Sequence, residues 1–196
     1  MVPAGKITED LVWENSWSPI SINGDLIIPA GRTLTIESGV TVRFSKVDEG
    51  QTGYRPDVCE LIVEGALVAA GDENAPIRLI SAAALAGKTD WDGIRMVPTA
   101  GQNQTVLRYL VVSGAEKGLA IYDGDYDISE ITARYCQNGI VLQGASGTRL
   151  LNLNFEDCDN AFSAESTWNC SLENLRIRGG RIGVSLAGNS NFSLSA

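Results

Sequence analysis

Between residues 107 and 186 one pattern of side chains recurs four times, at spacings of 21, 22 and 22 residues. Each unit opens with an apolar trio: Leu107/Leu110/Val112, then Ile128/Ile131/Ala133, Leu150/Leu153/Phe155 and Leu172/Leu175/Ile177. A small residue follows at a turn (Gly118, Gly139, Ala161, Gly183). An apolar pair then closes the unit: Leu119/Ile121, Ile140/Leu142, Phe162/Ala164, Val184/Leu186. A unit of this size cannot bury its apolar face alone. Stacking on identical neighbours buries it, so a fixed period in the twenties predicts a solenoid.

Apolar residues within a unit lie two apart, as in Leu119-Ala120-Ile121 and Ile140-Val141-Leu142. That is strand periodicity. The coils should therefore pair in parallel, about 4.8 Å apart along the axis. A leucine-rich repeat has a similar period, and Cys136 and Cys158 fall where its Asn/Cys would. A second strand pattern follows them, where that repeat requires a helix. The N-terminal half repeats the strand order less regularly, through Leu26–Ile28, Leu34–Ile36, Val40–Phe44, Leu61–Val63, Leu67–Ala69 and Ile77–Leu79. Turns at Pro29-Ala30-Gly31, Gly65, Gly71 and Pro76 separate these segments. Residues 45–57 read as a protruding loop and 80–92 as a second insertion.

The stretch Gly24-Asp25-Leu26, Pro29-Ala30-Gly31, Leu34-Thr35-Ile36-Glu37, Gly39-Val40-Thr41-Val42, Val63-Glu64-Gly65-Ala66-Leu67-Val68-Ala69, Ala75-Pro76-Ile77 and Trp91-Asp92-Gly93-Ile94 resembles the N-terminal coils of secreted right-handed parallel β-helix proteins. That group is similar to the pectate-lyase-like superfamily and its carbohydrate-binding and sugar-hydrolase modules. The likeness covers about residues 20–196 and rests on turn glycines and core apolar positions, so it speaks to fold more than to activity. It implies an all-β, single-stranded, right-handed parallel β-helix of about seven coils of 21–22 residues. Residues 1–19, with Trp13 and Trp17, would form an N-terminal cap over the domain at 20–196. It also implies an extracellular or cell-surface location.

At 196 residues the chain is long enough to bury about 70% of its unfolded surface as one domain. The net charge of −9 argues against nucleic acid and anionic membranes as partners. No apolar run approaches the roughly 18 residues of a membrane span, and no signal-peptide core is visible, so a secretion signal would already have been removed. Cys136 and Cys158 fall at one register position in successive coils, close enough for a disulfide but expected as a ladder of small buried thiols. Cys59 and Cys170 have no partner in this register.

The chain contains no histidine. That excludes Ser-His-Asp and Cys-His nucleophile systems and most zinc or iron sites. An enzyme on this scaffold would depend on carboxylates, Arg, Lys or calcium. Asp123, Asp125 and Asp127, with Glu130 behind them, resemble the opening of a calcium loop and form the candidate metal site, calcium being the one cofactor it would suit. The match is partial: Ile128 stands where the calcium loop has its Gly, and Arg134 where it has its final Glu. Polygalacturonase-type motifs are missing apart from Arg176-Ile177-Arg178, whose Ile177 is a core position.

Three outward columns follow from the register. Ser113, Arg134, Glu156 and Arg178 form a charge ladder. Tyr109, Glu130, Asn152 and Asn174 form a polar column, and Tyr122, Gln143, Glu165 and Ala187 another. Asn138 and Asn160 share a turn position that suits an amide ladder and a left-handed backbone. Tyr122, Tyr126, Glu130 and Trp168 are the candidate ligand contacts, since sugar rings stack on aromatic faces and sugar hydroxyls pair with amides and carboxylates. The expectation is a non-catalytic surface module that binds polysaccharide or surface glycan, or serves as an adhesive or structural rod. The alternatives are a calcium-dependent polysaccharide lyase or carboxylate-based glycoside hydrolase, and a subunit that stacks end to end through the incomplete coil opened by Asn191-Phe192-Ser193-Leu194.

Overall fold

The structure, a computed structural model, describes residues 4–97 and 104–195. Strands β1 (Gly5–Lys6), β2 (Leu11–Trp13) and β3 (Ile20–Ile22) make the first coil. Strands β4 (Leu26–Ile28), β5 (Thr33–Ile36) and β6 (Thr41–Phe44) make the second, and β7 (Glu60–Val63), β8 (Ala66–Ala70) and β9 (Ile77–Ser81) the third. Later coils have two strands each: β10 (Trp91–Met96) and β11 (Val106–Ser113), β12 (Ala115–Tyr122) and β13 (Asp127–Arg134), β14 (Asn138–Gln143) and β15 (Arg149–Glu156), β16 (Asn160–Glu165) and β17 (Ser171–Arg178), and β18 (Ile182–Ala187) and β19 (Ser193–Ser195). Among the described residues there is no α-helix.

The first strands of all the coils form a front sheet of 8 strands in the order β1-β4-β7-β10-β12-β14-β16-β18. The remaining 11 strands form a back sheet. Every pairing is parallel, and the register matches the repeat: Leu107 pairs with Ile128, Ile128 with Leu150, Leu150 with Leu172 and Leu172 with Leu194. This is a parallel β-helix, with eight coils where about seven were expected. The extra coil lies in the segment expected as a cap over 1–19. In its described part, β1 pairs with β4 and β2 with β5, so the stack begins before residue 20. Residues 1–3, 98–103 and 196 lie outside the described residues.

The core is a set of inward columns. Leu107, Ile128, Leu150 and Leu172 are each at most 1% exposed. Phe44 and Trp91 stack face to face, with centroids 4.2 Å apart, where the third coil is lengthened. All four cysteines are buried free thiols. The predicted charge ladder forms, with Arg134 2.9 Å and Arg178 3.8 Å from the Glu156 carboxylate. So does the amide ladder: Asn160 donates to Asn138 (2.8 Å), which donates to the Glu116 carbonyl (3.2 Å). The left-handed backbone expected there is found elsewhere, at Tyr109, Glu130, Asn152 and Asn174 (φ 47°, 57°, 56° and 55°).

In the first three coils a turn separates the second and third strands. From β11 onward the two fuse into one bent strand, and β11 pairs with both β8 and β9. The left-handed residue makes the bend. Residues 45–59 contain no strand, but they do not protrude as expected. They fold back over the front sheet, and Asp48 is 2% exposed.

The turn column offers a test of the packing. A Cβ on Gly139 would lie 2.5 Å from the Phe155 ring, whereas one on Gly183 would meet only the Ile177 Cδ1, at 3.3 Å. Gly139→Ala should cost about 2 kcal/mol or more by overpacking, and Gly183→Ala less than about 1 kcal/mol. Urea unfolding of the two variants beside the parent measures both values.

Candidate functional site

The predicted contacts do not converge. Tyr126 is corrected outright: it is 5% exposed and belongs to the core. Its register column continues through Thr148, Cys170 and Phe192, the residues that precede the paired positions Arg149, Ser171 and Ser193, and this column points inward. Burial, with the Asp123 charge beside it, pushes its phenol up to about 12. Trp168 is exposed (47%) between β16 and β17, where its backbone bridges Ser146 and Ser190. It lies two coils from Tyr122. Glu130 faces out from the bend of β13 in the back sheet and accepts a hydrogen bond from Asn152.

The three aspartates do not gather into a cation cage. Asp123 takes a left-handed φ of 67°, and its carboxylate accepts the Gly124 N–H (2.8 Å). Asp125 packs toward Gly147. Asp127 opens β13 and lies 3.8 Å from Arg149. Alternate residues of extended chain stand roughly 6–7 Å apart, so without a loop that wraps back their carboxylates diverge. Among the described residues no three Asp, Glu or Cys side chains are placed to hold a metal ion.

A different cluster does converge, on the outer face of the front sheet. Asp25, Glu60 and Asp92 are at most 2% exposed, and Arg95 joins two of them. Its Nε lies 3.1 Å from Glu60 Oε1 and its Nη2 2.9 Å from Asp92 Oδ2. Asp92 and Arg95 are three residues apart on one strand, so plain alternation would put them on opposite faces. The alternation breaks at Gly93, where the register with β12 shifts, and Asp92 and Arg95 come to one face. Gly93 has φ 117°, and a Cβ there would collide with the Lys117 carbonyl.

The loop from 45 to 59 is fastened to these carboxylates. Glu60 Oε2 accepts the backbone N–H groups of Tyr54 (2.5 Å) and Arg55 (2.7 Å). Asp25 accepts the Glu60 N–H (2.8 Å) and the Thr52 hydroxyl (2.9 Å). Asp48 accepts the N–H groups of Gly50 and Thr52 within its own turn. The fastening aims the Tyr54 ring at Arg95, whose guanidinium carbon lies 4.5 Å from its centroid; the Tyr122 ring, at the end of β12, lies 5.0 Å away. Of the predicted contacts, only Tyr122 belongs to this cluster.

Burial pushes the Asp25 and Glu60 carboxyls above their ordinary values. Hydrogen bonds from Thr52 and the Glu60 N–H oppose the shift at Asp25, and the Arg55 N–H opposes it at Glu60. Burial works against the Arg95 cation too, but the charges of Asp92 and Glu60 outweigh it and its pKa rises. Asp92 Oδ1 is buried without a hydrogen-bond partner. The Arg55 Nη1 and Lys117 Nζ stand 3.6 and 3.7 Å away, beyond hydrogen-bond reach. Arg55 is held instead by Glu116, at 2.6 Å.

The family model of the pectate-lyase like beta helix domain matches residues 5–133, which hold this whole cluster. The chain belongs to that family. No curated protein and no solved structure matches it. In this pectate-lyase-like domain the buried carboxylates Asp25, Glu60 and Asp92 are scattered over residues 25–92, so no local sequence motif brings them together. One local signal existed: a lone Gly inside the strand pattern Trp91-Asp92-Gly93-Ile94 indicates a bulge, and hence two polar side chains on one face.

A raised carboxyl pKa means that ionising Asp25 is harder in the folded than in the unfolded chain. Its contribution to stability therefore falls as pH rises above the ordinary carboxylate value, about 4. Asp25→Asn keeps an acceptor for the Glu60 N–H and removes the charge. Its stability relative to the parent should be more favourable at about pH 7 than at about pH 3.5, measured by urea unfolding at both. The opposite trend would mean that the carboxylate is held ionised by its partners.

Proposed function

We propose that this domain is a non-catalytic β-helix module of the cell surface or extracellular space that binds carbohydrate on its front sheet. One observation carries the reading: the Tyr54 ring, 56% exposed, rests on a guanidinium held from behind by two buried carboxylates. Such a ring is fixed before any ligand arrives, so binding orders little. It offers an apolar face for a sugar ring and a hydroxyl for a polar contact. Arg55, next in the chain, with Glu116 and Lys117, which are tied to it and to Asp92, adds donors and acceptors to the same cluster. Calcium plays no part in this binding.

A carboxylate-based glycoside hydrolase is the rival, and the Asp92 Oδ1, buried with no hydrogen bond, favours it. That chemistry requires a pair of working carboxyl groups. Glu60 has both oxygens engaged, Oε1 by Arg95 and Oε2 by two backbone N–H groups. Asp25 is engaged by the Glu60 N–H and the Thr52 hydroxyl and Glu116 by Arg55 and Lys117, so no free carboxyl group stands beside Asp92 to complete the pair.

A polysaccharide array, run with calcium and with chelator, separates the readings. Selective binding that chelator does not change is expected, with a roughly tenfold loss in Tyr54→Ala, equivalent to about 1.4 kcal/mol. Release of reducing ends by the parent chain, abolished in a folded Asp92→Asn, would replace this proposal with the hydrolase.

A further inference from the structure

The inward columns do not end alike at the two ends of the stack. In the last coil Leu186 is 46% and Leu194 53% exposed, and Val184 and Phe192 are only partly buried against the core. Leu194 is the last member of the column Leu107, Ile128, Leu150, Leu172. An equivalent residue one coil further on would bury it as Leu172 is buried. Among the described residues, no strand follows β18 in the front sheet or β19 in the back sheet, and none precedes β1 or β2. Each end therefore presents two open strand edges.

The columns can be followed back to the first coil. Leu107 pairs with Ala69, Ala69 with Ile36 and Ile36 with Trp13, so the Leu194 column starts at Trp13. The Phe192 column, two residues earlier, starts at Leu11. In the front sheet Leu186 ends a column that runs through Ala164, Leu142, Ile121, Met96 and Val63 to Ile28. Ile7 lies above Ile28, its N–H bonded to the Ile27 carbonyl. The first coil leaves room over these starting residues. A cavity of about 500 Å³ opens there, with Ile7, Leu11, Trp13 and the exposed Trp17 in its lining.

The two ends also differ in charge. From β17 onward Arg176, Arg178 and Arg181 outnumber Glu173. In the first coil Glu9, Asp10 and Glu14 outnumber Lys6.

We propose that the domain binds a second copy of itself head to tail, with the last coil of one copy seated on the first coil of the next. In the front sheet β18 is followed by β1 of the next copy, and in the back sheet β19 is followed by β2. Leu194 then meets Trp13, Phe192 meets Leu11 and Leu186 meets Ile7. Each column continues with the apolar neighbour that the register gives it inside one chain, and the projecting leucines enter the cavity. The opposite end charges favour this order, whereas two last coils facing each other would bring arginines together. A lone extended peptide could cover only one of the two edges at an end. The contact is heterologous, so every added copy leaves a free end and association is open-ended. It lies at the ends of the stack and does not depend on the Tyr54 site.

Sedimentation velocity of the 196-residue chain, from micromolar to millimolar concentration, tests this. Mean mass should rise with concentration without levelling at a dimer, and added salt should weaken the association by screening the end charges. Leu194→Lys blocks the last coil and Leu11→Lys the first. Each variant alone should associate about tenfold or more weakly than the parent. An equal mixture of the two should form a dimer and nothing larger, since each variant keeps one sound end. Circular dichroism checks that both are folded, and the salt dependence of the parent needs no variant. A parent chain that stays monomeric at millimolar concentration, or a mixture no more associated than its components, would overturn the proposal. So would dimers of Leu11→Lys alone, which would mean that two last coils meet.

Discussion

The parallel register between one coil and the next is the constraint on which the rest of this molecule depends. Each coil is too short to enclose a core, so its apolar side chains are buried only if they meet equivalents above and below. Leu107, Ile128, Leu150 and Leu172 do so in one column, and Tyr126, Thr148, Cys170 and Phe192 in another. A slip of one residue would turn a whole column outward. Changes of coil length must therefore be absorbed at corners. The 21-residue spacing is absorbed in the turn before β13, and residues 45–59 are inserted between β6 and β7, where they leave the Leu26–Leu61 pairing intact.

That insertion accounts for charges a solenoid would otherwise keep in water. Asp25 and Glu60 stand one above the other on the front sheet, and folding the loop over them costs desolvation, which is why both carboxyls rise in pKa. The loop returns backbone N–H groups to Glu60 and a hydroxyl to Asp25, and Arg95 supplies the cation. Removing Arg95 would strand Glu60 and Asp92, because a buried charge without its partner is worse than none. The cluster is thus a fastening for the loop before it is anything else, and it leaves Tyr54 exposed on a rigid base.

Much of the architecture was legible in the sequence because it is periodic. The inward columns, the Arg134-Glu156-Arg178 ladder and the strands from 26 to 79 follow from alternation and spacing alone. The aspartates around Tyr126 suggest an exposed loop, while the register of the next coils places it among core residues. The charges of residues 45–57 look solvated and suggest a protruding loop; the sequence around them does not show that Glu60 and Asp25 will be its acceptors. The bulge at Gly93 is the sharpest case. One residue of slip decides whether Asp92 and Arg95 share a face, and a lone glycine is all that marks it.

The two outward faces use polar side chains differently, and this bears on what each can recognise. On the front sheet the polar groups are of mixed charge, tied to a loop and partly buried, so a ligand there meets a rim of fixed charges around an aromatic ring. At the bend of the back sheet they are amides bonded to one another along the axis. A side chain held in such a chain cannot swing to follow a reacting group, but it can present the same donor and acceptor at each step of the helix. Catalysis needs a few groups brought to one point, whereas binding an extended polymer needs the same modest contact repeated. A scaffold built on register repeats one contact from coil to coil, and it takes an insertion such as residues 45–59 to gather unlike groups at one point, as at Asp25 and Glu60.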